Sequence, residues 1–203
     1  MKLYYKPGAC SLASHIILKE IGNDFEIESV DTDKQVTEFG ADFRKINPKG
    51  CVPALSIDGS QILTEGAAVL QYLADQNPSL DLAPKPGTLE RSRLQEHLNF
   101  TSSELHKAFG PMFTSSTTEE EIQIAKENVE KKMGHFESVF SDGRKYLVGN
   151  KFSVADAYFF VVSSWATPTG IGLEKWPNIA AFSQRTADRK AVKDAMHAEG
   201  LLK

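Results

Sequence analysis

Cysteine is scarce: Cys10 and Cys51 are the only two in 203 residues, too few for a disulfide framework, and both are expected as free thiols in a reducing compartment. No apolar run approaches the roughly 20 residues that span a bilayer, so no membrane partner is expected. The first twenty residues carry one early lysine and then Pro7 and Gly8, without the unbroken apolar stretch of a secretory leader. Positive charge is not in excess. Lys plus Arg number 23 against 27 Asp plus Glu, a net charge of −4, which argues against general nucleic-acid binding and leaves small anionic ligands open. His15, His97, His135 and His197 show no metal spacing with each other or with the cysteines, so no zinc site is expected. Repeats and low-complexity tracts are absent. What remains is a cytoplasmic globular chain, 41% hydrophobic and 25% charged. It is long enough to bury about 70% of its unfolded surface.

The grammar of the chain changes near residue 80. Before it, Lys2–Tyr5 is a short apolar strand ended by Pro7-Gly8. Residues 10–21 carry Leu12, His15, Ile16 and Lys19 around a helical repeat, stopped by Gly22-Asn23. Phe25–Val30 alternates like a strand with one buried face. Residues 37–46 read as a helix, ended by the turn Asn47-Pro48-Lys49-Gly50. Strands at 54–57 and 61–63 flank the hairpin signal Asp58-Gly59. A helix over 65–75 follows, with Ala68, Val69, Tyr72 and Leu73 on its apolar side. The order βαβαββα predicts a sheet mixing a parallel crossover with a terminal hairpin. The proline-rich stretch from Asn77 to Gly87 has no periodicity, which places the first domain at 1–80, a linker at 81–87 and a second domain at 88–203. Only helices follow, at 88–113, 119–140, 153–162 and two within 178–199. Ser153-Val154-Ala155-Asp156 opens one of them as a capping box. The fold class expected is an α+β domain followed by an all-helical one.

Four places carry candidate chemistry. Cys10 follows a strand and a turn and opens a helix, where free N–H groups and the helix dipole favour a thiolate. The plain alternative is a small buried hydrophobe. Cys10-Ser11-Leu12-Ala13 lacks a second cysteine at thioredoxin spacing, so two-thiol exchange within that motif is excluded. Val52-Pro53 enters a strand; a cis bond there turns the Val52 backbone toward a ligand, whereas a trans turn is the commoner case. At Thr64-Glu65-Gly66 a second helix start can hold a carboxylate while Glu65 accepts an ammonium, so a zwitterion fits. On the residues alone, Thr64 as a simple cap accounts for that pattern better. Along the helix 88–113, Leu94, Leu98, Leu105 and Phe109 share one face at about 100° per residue. Asn99, Ser103, His106 and Gly110 share another, flanked by Lys107. Such a stripe is usually solvated surface, and one histidine beside it is weak evidence for catalysis.

The same stretches carry a family resemblance. Tyr5-Lys6-Pro7-Gly8-Ala9-Cys10-Ser11-Leu12-Ala13, Asn47-Pro48-Lys49-Gly50, Val52-Pro53-Ala54-Leu55 and Leu63-Thr64-Glu65-Gly66 are similar to bacterial beta-class glutathione S-transferases. So are Leu98-Asn99-Phe100, Glu104-Leu105-His106-Lys107 and Phe152-Ser153-Val154-Ala155-Asp156-Ala157-Tyr158, all in the right order from Met1 to about Leu201. The Val-Pro and Ser-x-x-Asp pieces are common to many transferase classes. Pro-Gly-Ala-Cys-Ser with Leu-His-Lys downstream is specific to this one.

The resemblance implies a thioredoxin-like domain that binds glutathione and a helical domain that forms the pocket for small hydrophobic electrophiles. Phe109, Met112, Phe113 and Trp165 would shape that pocket. It also implies a homodimer, glutathione as co-substrate and no metal. By the same likeness Pro53 is cis, Val52 pairs its backbone with the cysteinyl part of glutathione, and Glu65 and Gly66 hold the γ-glutamyl end, which displaces the simple-cap reading. Cys10, Ser11, Tyr5 and His106 are implied near the glutathione sulfur as the catalytic set. Asn99 and Ser103, with Lys107 beside them, are implied to reach the ligand from the long helix. Ser153 and Asp156 look structural. Two positions depart from the family pattern. Gln35 stands where a lysine often meets the glycyl carboxylate, with Lys34 adjacent. Cys51 stands where glutamine is more familiar, either by accident or as a second thiol close enough to Cys10 for redox exchange.

The implied reaction is detoxifying conjugation. Free thiols titrate near pH ~8.5, so only a few per cent of glutathione is thiolate at neutral pH. Helix-start donors at Cys10 and Ser11, with His106 as donor or base, are expected to favour the thiolate. Cys10 beside a bound thiol also suits mixed-disulfide exchange, and Tyr5 is an alternative activator ranked below it. The rivals are a glutathione-dependent thiol transferase or peroxidase and a non-catalytic ligand-binding module.

Overall fold

The computed structural model describes residues 1–202. Five strands, β1 (Lys2–Tyr5), β2 (Glu26–Asp31), β3 (Val36–Thr37), β4 (Ala54–Ser56) and β5 (Ile62–Thr64), form one sheet in the order β3-β2-β1-β4-β5. β1 runs parallel to β2, with Leu3 opposite Ile27, and antiparallel to β4, with Leu3 opposite Leu55. Leu3 and Leu55 are fully buried, so this register fixes which face of the sheet is apolar. Leu55 in turn faces Leu63 across the β4–β5 hairpin. Asp58 closes that hairpin by accepting the N–H groups of Ser60 and Gln61.

The parallel crossover is α1 (Ser11–Ile21), stopped by Gly22 at φ +77°, whose N–H bonds the Leu18 carbonyl. Every residue from Ser11 to Leu18 is buried. A helix buried around its circumference needs cover from more than one side. Both α3 (Gly66–Gln76) and α9 (Lys190–Ala198) pack on it. Compactness accordingly divides the chain into Met1–Ala83 together with the segment from Asp188 onward, and a second unit, Pro84–Ala187. The segment from Asp188, which the sequence reading placed in the helical half, thus completes the first unit. Its Glu199 carboxylate is buried, 2.9 Å from His15 Nδ1 and accepting the Gly8 N–H at 3.0 Å. Arg189 adds two hydrogen bonds to Glu20, at 2.7 and 3.0 Å.

Two expectations for this unit need correction. The helix at 37–46 shortens to α2 (Phe43–Ile46), because Val36 and Thr37 pair with β2 and Gly40 turns the chain at φ +86°. Asp42 then caps α2 by accepting the Arg44 N–H. The apolar face of α3 is Val69, Leu70, Leu73 and Ala74; Ala68 is exposed and Tyr72 only half-buried.

Among the described residues the second unit holds helices and no named strand. The expected helix 88–113 is divided into α4 (Leu89–Phe100), a π-turn (Thr101–Leu105), α5 (His106–Phe109) and a 3-10 turn (Gly110–Phe113). It is followed by α6 (Glu119–Phe140), α7 (Val154–Ser164) and α8 (Pro177–Ala187). Phe136 and Phe159 meet at 4.0 Å between ring centroids, and Phe159 lies 5.4 Å from Phe182, giving the unit an aromatic core. The capping box at α7 is fully buried. Asp156 accepts hydrogen bonds from the Leu147 N–H (2.8 Å), the Ser153 N–H (2.9 Å) and the Ser153 hydroxyl (2.6 Å). Burial nonetheless pushes its carboxyl up to about 6.

Glu199 generates a test of the first unit. Glu199→Ala removes the carboxylate that faces fully buried His15 and also accepts the Gly8 N–H, so it is expected to cost about 3–5 kcal/mol in urea unfolding. A loss below about 1 kcal/mol, the range of surface ion pairs, would show that α9 does not depend on this carboxylate.

Candidate active site

The first unit brings two loops together at the starts of α1 and α3. Cys10 is the N-cap of α1, and its S–H donates to the Val52 carbonyl at 3.3 Å. The Val52–Pro53 peptide is cis. Asn47 shapes the turn before it: its Nδ2 donates to the Cys51 carbonyl at 2.7 Å and its Oδ1 accepts the Lys49 N–H. Cys51 is exposed, with its Sγ 3.4 Å from the Lys49 carbonyl. Across from this turn, Glu65 precedes α3 at φ +70°, a backbone region that non-glycine residues seldom occupy and that concentrates at functional sites. Its carbonyl accepts the N–H groups of Ala68 and Val69. The N–H groups at Gly66 and Ala67 open the helix end, where an anion is favoured. Lys49 Nζ lies 2.6 Å from Glu65 Oε1 and 3.0 Å from Thr64 Oγ1.

Electrostatics reverses one expectation. Burial pushes the Cys10 thiol up to about 12, and the neighbouring Cys51 adds to the rise. Backbone donors at Cys10 and Ser11 pull the other way and lose, so Cys10 is a neutral thiol rather than the expected thiolate. Ser11 is also corrected. It is 0% exposed, and its hydroxyl accepts the Lys6 N–H and donates to the Lys6 carbonyl, closing the turn after β1. Tyr5 is buried against the His15 ring at 6.0 Å between centroids, and that burial raises its phenol, which weakens it as a thiolate activator.

The two candidates for the glycyl carboxylate diverge. Gln35, at φ +59°, donates from Nε2 to the Thr32 and Gly50 carbonyls at 2.5 and 3.1 Å, so its amide braces the loop beside Gly50. Lys34 is exposed and paired with Asp31 at 3.1 Å. Cys10, Cys51, Val52, Pro53, Glu65 and Gly66 are therefore gathered in one unit. Lys49, which the candidate set omitted, joins them. The Asn-Pro-Lys-Gly turn was visible in the sequence, but nothing local there announces an ion pair sixteen residues away.

In the second unit, Asn99, Ser103 and Lys107 are exposed, and the Ser103 hydroxyl donates to the Asn99 carbonyl at 2.9 Å. The π-turn carries an extra residue, which rotates the side chains beyond it by about 100°. His106 consequently leaves the polar stripe. Its Nδ1 is 2.9 Å from the Tyr158 hydroxyl, and its ring meets Trp165 edge-on at 4.9 Å. Burial lowers it to about 4, with Lys107 contributing. A base this weak cannot take a proton from an ordinary thiol, so the base role expected for it is lost. When the Tyr158 hydroxyl donates to Nδ1, the other ring nitrogen keeps its proton and is a donor. Trp165 also meets Phe109 and Phe113 edge-on at 5.7 and 5.4 Å, and Phe113 is 58% exposed. Among the described residues no group of three or more His, Cys, Asp or Glu is placed to hold a metal ion, and no helix is long and apolar enough to cross a membrane.

Comparison with known proteins agrees with this arrangement. Residues 8–76 match the family model "Glutathione S-transferase, N-terminal domain", and residues 100–190 match "Glutathione S-transferase, C-terminal domain". The chain belongs to the glutathione S-transferase family. Glutathione S-transferase GstA of Escherichia coli O157:H7 is 46% identical over 201 residues, spanning 99% of this chain and all of that protein. A bacterial beta-class glutathione S-transferase of Sphingomonas chungbukensis superposes with a TM-score of 0.96 at 44% identity, each chain covered completely. A sphingomonad glutathione S-transferase complexed with glutathione gives 0.95 at 46% identity, again over both whole chains.

The lowered value for His106 sets a pH test. An imidazole harder to protonate when folded favours the folded state above the unfolded value near 6.5, and that contribution is lost as pH falls toward about 4. The expected result is a melting temperature that falls between pH 6.5 and 4 more steeply in the native chain than in His106→Phe, with the His106 ring signals titrating near 4 by NMR. Titration near 6.5 would contradict the burial argument.

Proposed function

We propose that this enzyme seats glutathione in the first unit, with its thiol against Cys10 and its γ-glutamyl end at Glu65 and the start of α3, and transfers it to small hydrophobic electrophiles. The observation that carries this reading is the clustering of a neutral thiol, a strand-entry backbone beside cis-Pro53, and an acid–base pair at a helix start. Lys49 and Glu65 pair with each other in this structure. A zwitterion offers each of them a replacement partner: its ammonium for Glu65, its carboxylate for Lys49 and the α3 donors. The Val52 backbone, next to the Cys10 thiol, is suited to the cysteinyl part.

Thiolate formation follows from a difference between two thiols. Cys10 holds its proton up to about 12. A glutathione thiol, titrating near ~8.5 when free, is the more acidic of the two, so when the sulfurs meet the shared proton stays on Cys10 and glutathione carries the charge. The Cys10 S–H, released from Val52, then donates to that thiolate. In the second unit, exposed Phe113 with Trp165 and Phe109 supplies an apolar wall for the electrophile. Neutral His106 beside it, near Lys107, is a donor for charge that develops there. The proposal extends to a homodimer and to a reducing, cytoplasmic setting, which the two free thiols suit.

Conjugation kinetics in two variants test the reading. Glu65→Gln removes the partner of the ligand ammonium and is expected to raise the glutathione KM about three- to fivefold with a smaller change in kcat, the cost of one exposed charge pair. Cys10→Ala is expected to move the acidic limb of the kcat/KM profile upward by about one pH unit, the effect of one lost charge-assisted hydrogen bond. An unchanged KM in the first and an unmoved limb in the second would overturn the seat and the activation, respectively.

A further inference from the structure

Glutathione ends in a glycyl carboxylate, and the seat proposed above employs only the other two residues of the tripeptide. With the γ-glutamyl end at Glu65 and the cysteinyl part at Val52, the glycyl end falls to what borders the Gly50-Cys51-Val52 segment. The loop 31–35 closes on that segment through Gln35, whose Nε2 donates to the Gly50 carbonyl at 3.1 Å and to the Thr32 carbonyl at 2.5 Å. Both amide hydrogens are thereby engaged. Gln35 Oε1 is buried without a partner against Gly50, where an added Cβ would come within 2.7 Å of it. The group that Gln35 has left over is an acceptor, which a carboxylate cannot use.

Charge along this edge points the same way. The loop Asp31-Thr32-Asp33-Lys34-Gln35 holds two acids and one lysine. Lys34 pairs with Asp31 at 3.1 Å. Asp31 also accepts the N–H groups of Lys34 and Asp33, and these contacts hold its carboxyl below the usual range. Lys6 Nζ donates to Thr32 Oγ1 at 2.9 Å and lies 3.9 Å from Asp33. Lys49 is paired with Glu65. Each lysine on these segments thus already faces an acid, and the loop's own balance opposes an anion.

We propose that this enzyme does not read the charge at the glycyl end, and that it takes γ-glutamyl-cysteinyl thiols whose glycyl carboxyl is masked as an ester or amide as readily as glutathione itself. The proposal rests on the seat at Glu65 and Val52. An ester or amide keeps every contact made there, because the ammonium, the γ-glutamyl carboxylate and the cysteinyl backbone are untouched. A glycyl amide also brings N–H donors to an edge whose remaining groups are acceptors. Gln35 is the specificity-determining residue: it braces the loop and presents no donor to an anion.

The test compares kcat/KM for conjugation of chlorodinitrobenzene with glutathione, its glycyl ethyl ester and its glycyl amide, at low ionic strength where charge contacts count most. In the native chain the three values are expected to agree within about twofold, less than one good exposed charge pair supplies. Gln35→Lys adds a cation and is expected to favour glutathione over both neutral thiols about three- to fivefold. Gln35→Met removes the amide without adding charge and is expected to leave the ratios unchanged. Comparing thiols within one variant cancels the effect of the lost brace on the loop. A native preference for glutathione above about fivefold, unchanged ratios in Gln35→Lys, or shifted ratios in Gln35→Met would overturn the proposal. Glu65→Gln is expected to raise KM alike for all three thiols. A KM that it leaves unmoved removes the seat and the proposal with it, whereas a native preference for glutathione with the Glu65 response intact removes the proposal alone.

Discussion

The hydrogen bond from the Cys10 thiol to the Val52 carbonyl is the contact on which the site depends. It joins the turn that starts α1 to the segment that enters β4, and it exists only while Cys10 keeps its proton. Burial supplies that condition, outweighing the helix-start donors that would otherwise favour a thiolate. A helix N-terminus stabilises a thiolate strongly only where the sulfur also remains solvated. Here enclosure wins, and the consequence is chemical: a residue placed like a nucleophile is built as a donor.

The rest of the first unit holds that donor still. Ser11 spends its hydroxyl on Lys6 to close the turn, and Glu199 reaches the same turn from the far end of the chain through Gly8 and His15. Cys10 therefore sits on a turn fixed from two sides, one local and one nearly two hundred residues distant. On the facing loop, Asn47 sets the turn before cis-Pro53, while Lys49 and Glu65 satisfy each other's charge. An ion pair this exposed adds little stability. Under the proposed glutathione seat, either partner can be exchanged for a ligand group at little cost.

Local patterning made most of the architecture legible. The alternation in 25–30, the Asp58-Gly59 hairpin and the repeat in 119–140 each map onto an observed element, because each depends on residues close in sequence. The π-turn at 101–105 was not legible: one inserted residue leaves composition and hydrophobic spacing almost unchanged while turning His106 to a different environment. Nor was the docking of α9, since nothing near Glu199 signals an acceptor needed at Gly8. Within the site, the Val52–Pro53 geometry and the zwitterion seat came from family likeness, whereas the residues alone favoured a trans turn and a simple cap. The protonation of Cys10 was misread for a single reason. A dipole can be inferred from a helix start, but desolvation is a property of what packs over it.

The central claim is that glutathione gives up its thiol proton on binding because Cys10 will not. Isothermal titration of glutathione into the protein at pH 7, repeated in buffers of different ionisation enthalpy, counts protons released per ligand bound. The account expects a value close to one. A value near zero, with glutathione bound as the thiol, would contradict it.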